Sequence, residues 1–163
     1  MRNRIDLVDT KLLAEEKEDP RYIDSPFRNL KNLHAKQKGK RYEQITEQVL
    51  KKMGKRVGRA VNTDHDRIVN GKKVEIKGST LNKNVNHFSF LQIRPDQDYD
   101  LLYFSMFYPD GFYMMYMDKD TIMQNVKRGT FKKQHGGNKA ESGTYLYYGN
   151  KETLARIGAI EVV

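Results

Sequence analysis

Cysteine and tryptophan are both absent from the 163 residues, and proline occurs four times. Without thiols the chain has no disulfides, no thiolate-bound zinc and no iron–sulfur ligation. At 19.1 kDa it is long enough to bury a core without such staples. No stretch approaches the roughly 20 apolar residues of a membrane span, and the charged first residues lack a signal-peptide core. These absences predict a soluble, cytoplasmic protein with no membrane partner and no zinc. Acidic charge is also in short supply: 21 Asp and Glu stand against 30 Lys and Arg, a net charge of +9.

The basic excess is clustered. Between Arg28 and Arg59 there are eleven Lys or Arg but only Glu43 and Glu47 as acids. A second group comprises Lys127, Arg128, Lys132, Lys133 and Lys139, with His135 among them. Clusters of this kind concentrate anions and give salt-dependent affinity for phosphate backbones, which favours a nucleic-acid partner over a merely solvated surface.

Periodicity divides the chain. Residues 1–36 are highly charged, with one amphipathic stretch at 4–18, and read as an N-terminal arm or docked segment; 37–163 read as a single domain. Apolar spacing through Tyr42, Ile45, Val49, Leu50 and Met53 predicts a helix over 40–53, stopped by Gly54. Strands are expected at 56–61, 87–93, 101–108, 112–117, 144–148 and 160–163, with helices at 118–126 and 152–157. The fold class is therefore α/β. The aromatic residues between Phe104 and Tyr116 read as core packing rather than a base-stacking surface.

The most informative run is Asp66-Arg-Ile-Val-Asn-Gly-Lys-Lys-Val-Glu75-Ile-Lys77. Asn70-Gly71 between β-branched stretches is the strongest short-range signal for a two-residue hairpin. That turn would pair Val69 with Lys72 and place Asp66 directly opposite Glu75, where two carboxylates repel unless a cation lies between them. Lys77, two residues beyond Glu75, shares its face. Two acids and a lysine on one face are the parts of metal-assisted phosphodiester hydrolysis. Asp64 has the same parity as Asp66 and would face Lys77, which makes it a competing ligand.

The spacing Asp66, eight residues, Glu75, one residue, Lys77 resembles the signature of the PD-(D/E)XK nuclease superfamily, which includes type II restriction enzymes, homing endonucleases and archaeal-type Holliday-junction resolvases. Lys38-Gly39-Lys40-Arg41-Tyr42-Glu43 resembles the opening of the helix that carries a glutamate in that superfamily. His65 stands where its proline is common. The resemblance implies a restriction-endonuclease-like core, a central mixed β-sheet flanked by helices. It implies Mg²⁺, with Mn²⁺ able to substitute, held by Asp66, Glu75 and the Ile76 backbone carbonyl, with Glu43 as a further ligand. Lys77 would orient the attacking water and offset phosphate charge, and Gln92 would assist.

The expected activity is sequence-specific cleavage of double-stranded DNA by a homodimer. Lys38, Lys40, Arg41, Arg94, Lys132, Lys133 and His135 are the expected DNA contacts. Two alternatives stand beside it: a structure-specific junction resolvase and a non-catalytic nucleic-acid-binding protein.

Overall fold

The computed structural model describes residues 18–134 and 143–162. They form a 3-10 turn (Pro20–Tyr22), helices α1 (Arg28–Asn32), α2 (Ala35–Lys52), α3 (Lys119–Lys127) and α4 (Lys151–Arg156), and nine strands. These are β1 (Val57–Arg59), β2 (Arg67–Val69), β3 (Lys72–Thr80), β4 (Phe88–Ile93), β5 (Leu101–Tyr108), β6 (Gly111–Asp118), β7 (Lys132–Lys133), β8 (Tyr145–Gly149) and β9 (Ile160–Glu161). The amphipathic stretch at 4–18 lies outside the described residues except for Glu18, which is not helical.

A six-stranded sheet in the order β1-β2-β3-β5-β6-β9 forms the centre. It is mixed: β3 and β5 run parallel from Val74–Leu101 to Thr80–Phe107, and the other pairs are antiparallel. Helix α2 lies on one face and buries Tyr42, Thr46 and Leu50, one residue per turn. Leu50 packs with Val74, Ile76 and Tyr103, and Tyr42 stacks on Phe107 with ring centroids 5.1 Å apart. On the other face a small sheet, β4-β8-β7, packs with α3 and α4 over Leu102, Phe104 and Met106. Fully buried Phe88, Phe90 and Phe104 lie there, each such side chain contributing about 1.5–3 kcal/mol by leaving water. The Phe104–Tyr116 aromatics thus serve mainly as core.

Helix α2 starts five residues before the expected position 40. Lys36, Lys38, Lys40 and Arg41 are good helix formers and are absorbed into its first two turns. Its end is as expected: Gly54 has φ 81°, and the Lys55 N–H returns to the Leu50 carbonyl. Strand β1 covers only three of the six residues expected over 56–61, and β9 covers Ile160–Glu161 but not Val162, with Val163 outside the described residues. Residues from Glu18 onward are docked through Tyr22. Its buried hydroxyl donates to the Phe107 carbonyl (2.5 Å) and accepts from the Leu81 N–H (2.9 Å).

One feature of the sheet positions the candidate site. Strand β2 stops at Arg67, opposite Val74, whereas β3 continues to Thr80. From Ile76 onward, no described strand pairs with that edge of β3.

Candidate functional site

The hairpin turns on Asn70 and Gly71, both at positive φ (48° and 82°) as a type I′ turn requires. Pairing runs Val69–Lys72, Ile68–Lys73 and Arg67–Val74 as expected, and ends there. Asp66 is therefore not a ladder partner of Glu75, which corrects the register extrapolated from the turn. Its N–H donates to the Val74 carbonyl (2.9 Å). The chain before it turns away through buried His65, whose Nε2 accepts the Val61 N–H. The backbone N–H and C=O of Ile76 point to the same side as those of Val74, where β2 is missing. The Asp66 carboxylate takes the place of a strand: Oδ2 accepts the Ile76 N–H at 2.7 Å.

Around this open edge the side chains gather. Glu75 lies within hydrogen-bonding reach of Asp66, and Lys77 Nζ pairs with Glu75 Oε1 at 2.9 Å, as the period of two requires. Glu43 approaches from α2, near enough to Asp66 and Lys77 to feel both charges. Gly78 makes that approach possible: a Cβ on it would lie 2.4 Å from Tyr42 Cβ and Cγ. The glycine after Lys77 thus lets α2 rest directly on β3, one residue before Glu43. Thr46 Oγ1 and Ser105 Oγ, both buried, seal the contact at 2.7 Å one turn on.

Arg67 was not singled out from sequence, yet it ties the site together. Its Nε donates to Glu47 Oε2 (2.6 Å), its Nη1 donates to the Asp66 carbonyl (2.7 Å), and Nη1 lies 3.7 Å from Glu43 Oε2. Its position beside Asp66 and the Glu43/Glu47 helical pair were the available signals. Glu47 also pairs with Lys51 at 2.6 Å.

The electrostatics are those of crowded carboxylates. Burial, opposed by Lys77 and reinforced by the Asp66 charge, pushes Glu75 up to about 7. Burial and then Asp66 push Glu43 up to about 7 as well, against Arg67, Lys77 and Lys40. Carboxyl groups held this close need a shared proton or a cation. Among the described residues no group of three or more His, Cys, Asp or Glu is arranged as a metal cage. The donors that do converge, two carboxylates and a backbone carbonyl directed to the same edge, suit a hard cation that retains several waters, as Mg²⁺ does.

Beside the acids runs a groove of about 510 Å³ along the open edge of β3, between α2 and β4. Lys31, Lys38, Gly39, Glu43, Lys77 and Gln92 are among its lining residues. Gln92 has φ 55°, and the β4–β8 register shifts between Phe90 and Ile93. Strict alternation would turn Gln92 inward with Phe88 and Phe90; the bulge exposes it and buries Ile93 instead. Its N–H donates to Gln134 Oε1 at 2.7 Å.

Asp64, the competing ligand, is not opposite Lys77. Its Oδ2 accepts the Asp98 N–H at 3.1 Å. Lys40 and Arg41 are exposed on α2, and Arg94 is exposed just after β4. Lys132 and Lys133 are exposed on β7, in the small sheet. His135 lies outside the described residues.

No protein-family model matches the chain, and no curated protein matches it. Among solved structures it is similar to a bacterial homing endonuclease, I-Ssp6803I, at 18% identity and TM-score 0.44, over 55% of this chain and 69% of that one. A likeness this loose carries no weight for function, which rests on the side chains just described.

Proposed function

We propose that the chain is a Mg²⁺-dependent endonuclease of the PD-(D/E)XK type that cuts double-stranded DNA at specific sequences as a homodimer. The observation that carries this reading is the convergence of Asp66, Glu75, Lys77 and Glu43 on the open edge of β3, beside a groove lined by lysines. A purely structural hairpin has no use for a half-buried Glu75 whose pKa is driven upward. Asp66, Glu75 and the Ile76 carbonyl would hold Mg²⁺, or Mn²⁺ in its place, with Glu43 beside them. When bound, the ion supplies Lewis-acid stabilisation of charge developing on the scissile phosphate. Lys77 Nζ, fixed by Glu75, orients the attacking water and offsets phosphate charge. Gln92 faces the same groove and hydrogen-bonds the water or the phosphate. A dimer would present two such sites to the two antiparallel strands.

The test is incubation of a long mixed-sequence duplex with Mg²⁺, with Mn²⁺ and with EDTA, alongside Glu75→Ala. Discrete fragments are expected with either ion, none with EDTA, and a loss of at least about 10³-fold in the variant, since hydrolysis through a metal loses its main stabilisation. Cleavage confined to a four-way junction would instead identify a resolvase. DNA bound but never cut, on any substrate, would leave a binding protein.

A further inference from the structure

Gly39 stands in the second turn of α2, where glycine destabilises a helix relative to alanine. Packing does not explain it. A Cβ on Gly78 would strike Tyr42, but a Cβ on Gly39 would meet nothing within 4 Å. The position is nonetheless not idle surface, because Gly39 lines the groove together with Ala35 one turn before it and Glu43 one turn after. Along this row of α2, beside Lys38 and Tyr42, the groove wall is therefore low for two turns and then rises to the carboxylate. Lys31 and Lys38 flank the low stretch and Lys77 faces it from β3. Free volume bounded by cations, ending at an acid, has the shape and charge of a channel for a phosphodiester backbone.

We infer that Gly39 is a positioning residue that lets one sugar-phosphate strand cross α2 in near contact with the helix backbone, setting the scissile phosphate before Glu43 and Lys77. The inference rests on the nuclease reading above and adds the path of the strand. It predicts opposite signs for stability and function. Gly39→Ala and Gly39→Leu are both better helix formers and share a Cβ that meets nothing within 4 Å, so each is expected to raise Tm by about 2–4 °C. The larger side chain fills the channel.

The experiment measures Tm, DNA affinity by anisotropy of a labelled duplex, and Mg²⁺-dependent cleavage for wild type, Gly39→Ala and Gly39→Leu. The expected result is a graded loss, with Gly39→Leu cleaving about 10²-fold more slowly as its strand is displaced by an ångström or so, at a Tm no lower than wild type. Wild-type affinity and cleavage in Gly39→Leu would overturn the strand path while leaving the nuclease reading intact. Wild type that neither binds nor cuts DNA would overturn both.

Discussion

Glu43 and Glu75 hold their protons to about pH 7 in the folded chain, against an ordinary value of 4.5. A group with a raised carboxyl pKa favours the folded state below 4.5, and that contribution is lost as pH rises towards 7. Wild type should therefore lose on the order of 1–3 kcal/mol between pH 5 and 7.5, and Glu75→Gln should lose less. Millimolar Mg²⁺ should flatten the wild-type profile and leave that of Glu75→Gln nearly unchanged. Thermal melts across pH measure this directly, and comparing the two proteins removes the histidine titrations common to both. A profile identical in both proteins would mean that Glu75 ionises normally. At this scale the sequence was informative about which side chains gather at the edge of β3 and less so about how they meet. Turn chemistry at Asn70-Gly71 gave the first three pairs, but nothing local says that β2 stops at Arg67, because buried His65 and the chain before it decide that. Asp64 and Asp66 likewise share a parity, and only the tertiary contact of Asp64 with the Asp98 N–H separates them.

The decisive contact between elements is α2 against β3, and Gly78 is where it is closest. Tyr42 Cβ is fixed to its helix, so the methyl of Gly78→Ala cannot be accommodated by a rotamer change. We expect a loss of about 2–4 kcal/mol, read as a lower urea midpoint at unchanged slope. Cleavage should fall by more than the unfolded fraction explains, since α2 would carry Glu43 away from Lys77. A near-neutral Gly78→Ala would show that the helix can shift freely. Helix α2 was legible from its helical spacing, the hairpin from its Asn-Gly turn and β5 from its mostly apolar run. The bulge at Gln92 was not: a residue other than glycine in the left-handed region leaves no reliable signature, and simple alternation points its side chain inward. Gly78 was legible only as a glycine; its reason lies 36 positions away at Tyr42.

For the molecule as a whole, the net charge of +9 would make the proposed affinity for DNA a function of salt. Each lysine that meets a phosphate adds about 0.9 to the slope of log affinity against log salt. Replacing exposed Lys132 and Lys133 on β7 with alanine should flatten that slope by about two if the small sheet lies against the duplex. An unchanged slope would place the DNA elsewhere. The early end of β2 also bears on how the chain avoids its own kind. Beyond Val74, β3 is an edge strand in the middle of a sheet, and open edges recruit strands from other molecules. Here the edge carries Lys77 and Glu75, is capped by Asp66 and is fronted by Lys31 and Lys38. An incoming β-strand would have to strip those charges of water, whereas a polyanion would neutralise the lysines on contact. The residues proposed to cut DNA would thus also act as gatekeepers against aggregation, and the groove would favour a polyanion over a β-strand before any chemistry begins.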